Sequence, residues 1–368
     1  MWLFLSMVWA EEFFTHIEGP IEPGVGATWS FPLYTDTGWQ LASGQGGDLT
    51  VAPLDASGNV NMELVQTVTD VGAIKDHALR VCPDGTYVYT ASTGVYDDIL
   101  VYRLDADFAI MSTTSLVQDE PQIAGNDMAA ICSASFVGIG VAELNGLRDY
   151  FWEIDAAGDL DIPIELAESP RMTGAGMLEH QDMLYVIGRD ARPELSISVY
   201  DRDLLLTEQL LLPPITEDII HYWPSSILPI SDYFLLLSMG RNPDAGFPMD
   251  TGDVYLALLD ENMELISWTS LTAFVPQEGG GMRPWMERHE DQVWISYDRN
   301  NRVELISLTL NMDFFPSQES SEEDTGQEED STAEPEEEQQ PKSGGCAGFF
   351  SFSLMLLLIR NRVRTSDS

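Results

Sequence analysis

Six short apolar runs recur about every fifty residues, and together they predict an all-β fold, a six-bladed β-propeller. The runs are 49–55 (LTVAPLD), 99–105 (ILVYRLD), 150–155 (YFWEID), 195–201 (LSISVYD), 254–260 (VYLALLD) and 303–309 (VELISLT). Five of them close on an aspartate (Asp55, Asp105, Asp155, Asp201, Asp260) and the sixth closes on Thr309. Short β-branched and aromatic runs at a fixed beat, separated by turn residues, suit one four-stranded sheet per repeat. A repeated two-sheet sandwich is the competing arrangement.

Each repeat divides into three clear strands and a weaker fourth. The first holds 29–33, 39–43, 49–55 and 62–67; the second holds 77–82, 87–92, 99–105 and 111–117. Pro83, Asp84 and Gly85 form a turn signal, with Pro fixing φ and Gly free to take the left-handed conformation. The third repeat holds 128–133, 136–142, 150–155 and 162–167, and the fourth holds 176–178, 184–188, 195–201 and 210–212. The fifth holds 226–230, 234–238, 254–260 and 265–269. The sixth has 285–288, 293–297 and 303–310 but no outer strand. The N-terminal run 13–17 (FFTHI) is expected to supply it, which closes the ring and hides two sheet edges.

A hydrophobic fraction of 44% gives ample material for such a core, whereas the charge is unusual: 61 acidic against 17 basic residues, net −44. That surface repels polyanions, so nucleic acid is excluded as a partner. The acidity fits solubility in a salty or extracellular medium, or carboxylates gathered for Ca²⁺. Cys82 and Cys132 occupy matching places in consecutive repeats. Equivalent side chains point the same way round a ring, so the expectation is two buried thiols rather than a bridge.

The ends carry an address. Residues 1–10 (MWLFLSMVWA) form a short apolar run with Val8 and Ala10 spaced as before a cleavage site, which predicts a signal peptide and export. The propeller is then 11–316. Residues 317–345 form an acidic spacer, dense in Glu and Asp from Glu319 to Glu338 and with no apolar face to bury, so disorder is expected. Residues 346–368 begin at Cys346, run apolar through 347–359 and end on Arg360, Arg362 and Arg364. The apolar run is short for a membrane span, which needs about 20 residues. Small residues, a cysteine, a short hydrophobic helix and a basic end resemble the MYXO-CTERM type of sorting signal on Gram-negative bacterial surface proteins. The resemblance implies cleavage near Cys346 by a sorting protease, a lipid anchor on that cysteine and display on the outer membrane surface.

For function, the expectation rests on fold: propellers bind at one channel mouth, beside the loops that enter the innermost strands. Those entries hold Asp76 and His77, Asn126 and Asp127, Thr173, His221 with Tyr222 and Trp223, and Arg283 with Trp285. Two His with Asp and Asn suit a metal, and Trp223 and Trp285 suit stacking on a sugar or peptide. The competing reading is that they cap strands and fill the channel. The loop 239–252, with Asp244 and Asp250 and then Asp253, is a weak Ca²⁺ candidate whose spacing does not fit an EF-hand, and no other cofactor is expected. No nucleophile elbow, His-Glu-x-x-His or Cys-x-x-Cys is present, and no catalytic residue is assigned. The expected function is a surface-anchored binding module for an extracellular protein, glycan or small molecule. The alternatives are a secreted hydrolase or lyase, with His77, His221 and Arg283 as first candidates, and a purely structural coat protein.

Overall fold

The computed structural model describes residues 13–315, apart from 25–28, 46, 70, 72–74, 93–97, 117–124, 134–135, 144–148, 156, 168–171, 189–193, 217–218, 242–251 and 275–279. Residues 1–10, 317–345 and 346–368, where a signal peptide, an acidic spacer and a sorting tail are expected, lie outside the described residues.

The chain is all-β, with six four-stranded antiparallel sheets. Strand β1 is Phe14–Ile21. Blade 1 is β2 (Trp29–Thr35), β3 (Gly38–Gln45), β4 (Asp48–Pro53) and β5 (Gln66–Val68). Blade 2 is β6 (Lys75–Val81), β7 (Tyr87–Ser92), β8 (Ile99–Leu104) and β9 (Ile110–Ser115). Blade 3 is β10 (Gly125–Cys132), β11 (Phe136–Glu143), β12 (Asp149–Asp155) and β13 (Ile164–Leu166). Blade 4 is β14 (Met172–His180), β15 (Met183–Gly188), β16 (Leu195–Tyr200) and β17 (Leu206–Leu212). Blade 5 is β18 (Ile220–Ile230), β19 (Tyr233–Arg241), β20 (Asp253–Leu259) and β21 (Leu265–Ser270). Blade 6 is β22 (Met282–His289), β23 (Gln292–Arg299) and β24 (Arg302–Leu310), with β1 as its outer strand.

The innermost strands of successive blades lie side by side, and β2 returns to β22, so the ring is closed. The clasp is sequence-remote: Phe14 pairs with Leu310 and Ile17 with Leu308. Phe13, 2% exposed, packs edge-on to Phe314 at 4.5 Å between ring centroids. The core sits in the seams between blades, where middle strands such as β7 (YVYTAS) and β16 (LSISVY) are buried on both faces and combine apolar residues with small buried Ser and Thr.

The recurrent aspartate has a structural explanation. In blades 1 to 5 it closes the hairpin between the third and fourth strands. Asp105 Oδ1 accepts the backbone N–H groups of Asp107 (2.9 Å) and Ala109 (2.8 Å), and its own N–H donates to the Ala109 carbonyl. Asp55, Asp155, Asp201 and Asp260 make the same two side-chain bonds two and four residues ahead. The turn demands positive φ three residues after each aspartate, at Gly58, Phe108, Gly158, Leu204 and Met263. Where that residue is not glycine, the strain is offset by packing: Phe108 is 3% exposed and stacks on Tyr87 at 4.3 Å. Blade 6 ends on Thr309 because its fourth strand arrives from the N-terminus, leaving no hairpin to close. Asp105→Ala is expected to lower the melting temperature by about 4 °C, and Asp105→Asn by less, since an amide oxygen still accepts. Differential scanning calorimetry checks this, and equal melts for all three proteins would remove the turn from the account of the repeat.

The cysteines correct an expectation. Cys82 and Cys132 form a disulfide, with Cα atoms 5.1 Å apart. Cys132 is the last residue of β10 and pairs with Val137, as Val81 pairs with Tyr87 at the end of β6. Cys82 therefore lies one place further along than its counterpart, with its N–H on the Thr86 carbonyl inside the turn. A one-residue offset reverses the face on which a side chain emerges, so the two sulfurs meet across the seam.

Candidate functional site: one rim of the ring

The two faces of the wheel differ. On one face the first strand of each blade joins the second through short turns, such as 181–182 and 231–232, and the aspartate turns lie there too. On the other face the chain enters each innermost strand and passes from second to third strand, with connections as long as 242–252 and 271–281. We call these the turn face and the loop face.

Five of the six innermost strands are bulged where they start at the loop face. The register breaks between Lys75 and His77 in β6, Gly125 and Met128 in β10, Met172 and Met177 in β14, His221 and Trp223 in β18, and Met282 and Trp285 in β22. A second break in β18 falls between Pro224 and Ser226. Only β2 pairs in unbroken register along its length. A bulge releases a residue from the ladder and re-aims its side chain, and barrel rims beside binding sites are enriched in bulges.

The backbone places the expected site residues in this ring. Asp76, Asn126, Asp127, Thr173, Tyr222 and Arg283 fall inside the breaks, and His77, His221, Trp223 and Trp285 border them. The side chains of Asp76, His77, Asn126, Asp127, His221 and Trp223 lie outside the described residues.

Arg283 and Trp285 are described in full. Arg283 precedes Pro284 and takes φ +49°. Its Nη1 donates to both Asp298 oxygens at 3.1 and 3.0 Å, and its guanidinium lies 5.2 Å from the Trp29 ring. Asp298 is 4% exposed, and burial pushes its carboxyl up to about 6 even though Arg283 pulls the other way. Trp285 is 2% exposed, set edge-on to Phe31 at 4.7 Å with the Arg80 guanidinium 4.3 Å over its ring. In this structure Trp285 packs the interior instead of presenting a stacking surface. Four residues further down β22, His289 stacks on Tyr34 at 3.3 Å, so Trp285 and His289, on one face of the strand, both pack blade 6 against blade 1.

Arg80 and Glu287 form the deeper layer. Each keeps a little surface but is walled in by protein. Burial drives the Glu287 carboxyl up to about 7 and the Arg80 guanidinium down to about 10, with their mutual attraction opposing both shifts. Strands β6 and β14, on blades 2 and 4, approach within 8 Å between Cα atoms.

Sequence reasoning missed Trp29, Arg80, Glu287 and Asp298. The available signal was a lone Arg in the apolar run HALRV and a lone Glu in PWMERH. Asp253, beside the proposed Ca²⁺ loop, is spent internally. Its Oδ1 accepts the Thr272 hydroxyl at 2.9 Å and the Phe274 N–H at 2.8 Å. Asp244 and Asp250 lie outside the described residues, and among the described residues no group of three His, Cys, Asp or Glu is placed to hold a metal. A groove of about 520 Å³, lined by Gln66, Val68, Phe108 and Ile110, sits between blades 1 and 2.

No protein-family model matches the chain, and no curated protein matches it. Solved structures do. A luciferin-regenerating enzyme superposes with TM-score 0.47 at 12% identity, covering 79% of this chain and 95% of that one. A member of the DUF4221 family from Bacteroides vulgatus gives 0.43 at 11%, covering 80% and 94%. An AfRom2 CNH domain gives 0.43 at 9%, covering 77% and 80%. Likeness at this level transfers no activity to the present chain.

Proposed function

We propose that this protein is an exported, surface-anchored propeller that binds an extracellular ligand (a protein, glycan or small molecule) at its loop-face mouth. The observation that carries the reading is the ring of bulges: five blades spend ladder hydrogen bonds at the same level of the same rim, while the turn face is built of short, self-satisfied turns. Arg283 adds backbone strain at that rim, held by Asp298 and Trp29. The Cys82–Cys132 bridge supports folding in an oxidising compartment, which agrees with the leader and with the tail from Cys346.

Binding is tested with glycan and peptide arrays probed by the full chain, by Arg283→Ala and by Arg202→Ala on the turn face. The expected result is a loss of about tenfold or more for Arg283→Ala and none for Arg202→Ala. Equal binding by all three would place the ligand elsewhere. The address is tested by the intact mass of the protein recovered from the envelope of a Gram-negative host. Loss of residues 1–10 and added lipid mass at Cys346 are expected, and two unprocessed ends would overturn that half of the proposal.

A further inference from the structure

Arg80 makes two long-range contacts from one side chain. Its Nε donates to the Ala130 carbonyl on blade 3 at 2.9 Å, and its Cζ lies 4.3 Å from the Trp285 ring centre on blade 6. Blade 1 separates blades 2 and 6 on the ring, so a residue of β6 that reaches Trp285 crosses the channel instead of following a seam. Glu287, two residues beyond Trp285 on β22, carries the charge that Arg80 feels. Two residues beyond Arg80 stands Cys82, and two beyond Ala130 stands its partner Cys132. Strands β6 and β10 run in the same direction from the loop face, so the disulfide and the Arg80–Ala130 hydrogen bond are successive rungs of one seam. The covalent rung lies nearer the turn face.

We propose that the Cys82–Cys132 disulfide is a positioning device for Arg80: it fixes the seam from which the guanidinium spans the channel, so that Arg80 plugs the turn-face end and braces blade 6. The mouth is then a blind cup, entered from the loop face only. A dithiol reductant that exchanges with the bridge releases the floor. The balance is simple: the S–S bond takes two electrons and two protons, Cys82 and Cys132 become thiols, and the dithiol leaves as its own disulfide. Cys82 is buried and Cys132 is only partly so, and exchange is expected to begin at Cys132.

A staple that merely tied two blades would, when cut, loosen those two blades. The plug adds a consequence for a strand the disulfide does not touch. Hydrogen exchange of the full chain with and without dithiothreitol separates the two. Reduction is expected to speed exchange about tenfold or more at the inner ends of β6 and β10, and also at 285–287 in β22, while β16 and β19 keep their protection as the control for an intact fold. Arg80→Met in the oxidised protein is expected to reproduce the β22 effect with the disulfide still formed. Loosening confined to blades 2 and 3, unchanged exchange throughout, or uniform loss of protection including β19 would each overturn the proposal. So would an Arg80→Met protein whose β22 exchanges as in the parent.

Discussion

A chain lacking residues 1–21 is expected to lose its sharp thermal transition, or to melt more than about 10 °C lower and aggregate on the way. Strand β1 is the fourth strand of blade 6, and its removal leaves β24 as a bare edge carrying Leu305, Leu308 and Leu310. Phe13 and Phe14, 2% and 6% exposed, leave the cluster that holds Phe315 and Ile306. Each such ring is worth about 1.5–3 kcal/mol of burial. The backbone pairing of a whole strand is lost besides, and a domain's net stability is only about 5–15 kcal/mol. A single-residue version of the experiment is Gly19→Ala. Gly19 has φ +139°, and a Cβ there would stand 2.8 Å from the Leu305 carbonyl oxygen on β24, so the clasp must shift. Adding a synthetic peptide of residues 13–24 to the truncated chain is expected to recover part of the lost melting temperature. A truncated protein that melts like its parent would show that the ring does not depend on its clasp.

That clasp was legible because blade 6 visibly lacked an outer strand while an unassigned apolar run stood at the other end of the chain. The blade count and the middle strands were legible for a similar reason, since strands buried on both faces are written in apolar residues and small Ser or Thr, with no charged residue to break the run. The innermost strands show where such reading stops. Pattern alone starts them at His77, Met128, Ser226 and Trp285, whereas pairing begins at Lys75, Gly125, Ile220 and Met282. Each expected start is the first residue after a bulge, because a bulge breaks the period of two on which the pattern depends. The polar residues assigned to entering loops therefore belong to the strands themselves. The disulfide was misjudged through the same rule, since equal spacing in sequence concealed a one-residue difference in register. Arg80 was overlooked because its partners, Ala130 and Trp285, belong to blades whose distance across the axis no local pattern reports.

Lowering the pH from 8 to 5 is expected to stabilise this protein, and two buried carboxyls set the window. Asp298 is raised from 3.8 to about 6 and Glu287 from 4.5 to about 7, both chiefly because burial penalises the charged form. A folded state that holds these protons more tightly than the unfolded chain binds the extra protons between roughly pH 4 and pH 7, so stability falls as pH rises through that interval. Asp298 is nearly fully buried, and the rise of its carboxyl from 3.8 to about 6 corresponds to about 3 kcal/mol at most, or about 6 °C in a domain of this size. Relief of repulsion among the surface carboxylates acts in the same direction, so the slope alone does not identify the groups. The variants do. Asp298→Asn should remove a resolvable part of the slope between pH 4 and 6, with Arg283 keeping an amide oxygen to bond. Glu287→Gln should remove part of it between pH 5 and 7, and it leaves Arg80 without the counter-charge that the parent's carboxylate supplies once ionised above about pH 7, so this protein is expected to be the less stable of the two near pH 8. Surface repulsion barely changes in either variant. If melts across this range show the parent's slope in both, the gain at low pH comes from the surface, and the charged layer beneath the mouth contributes nothing measurable to folding.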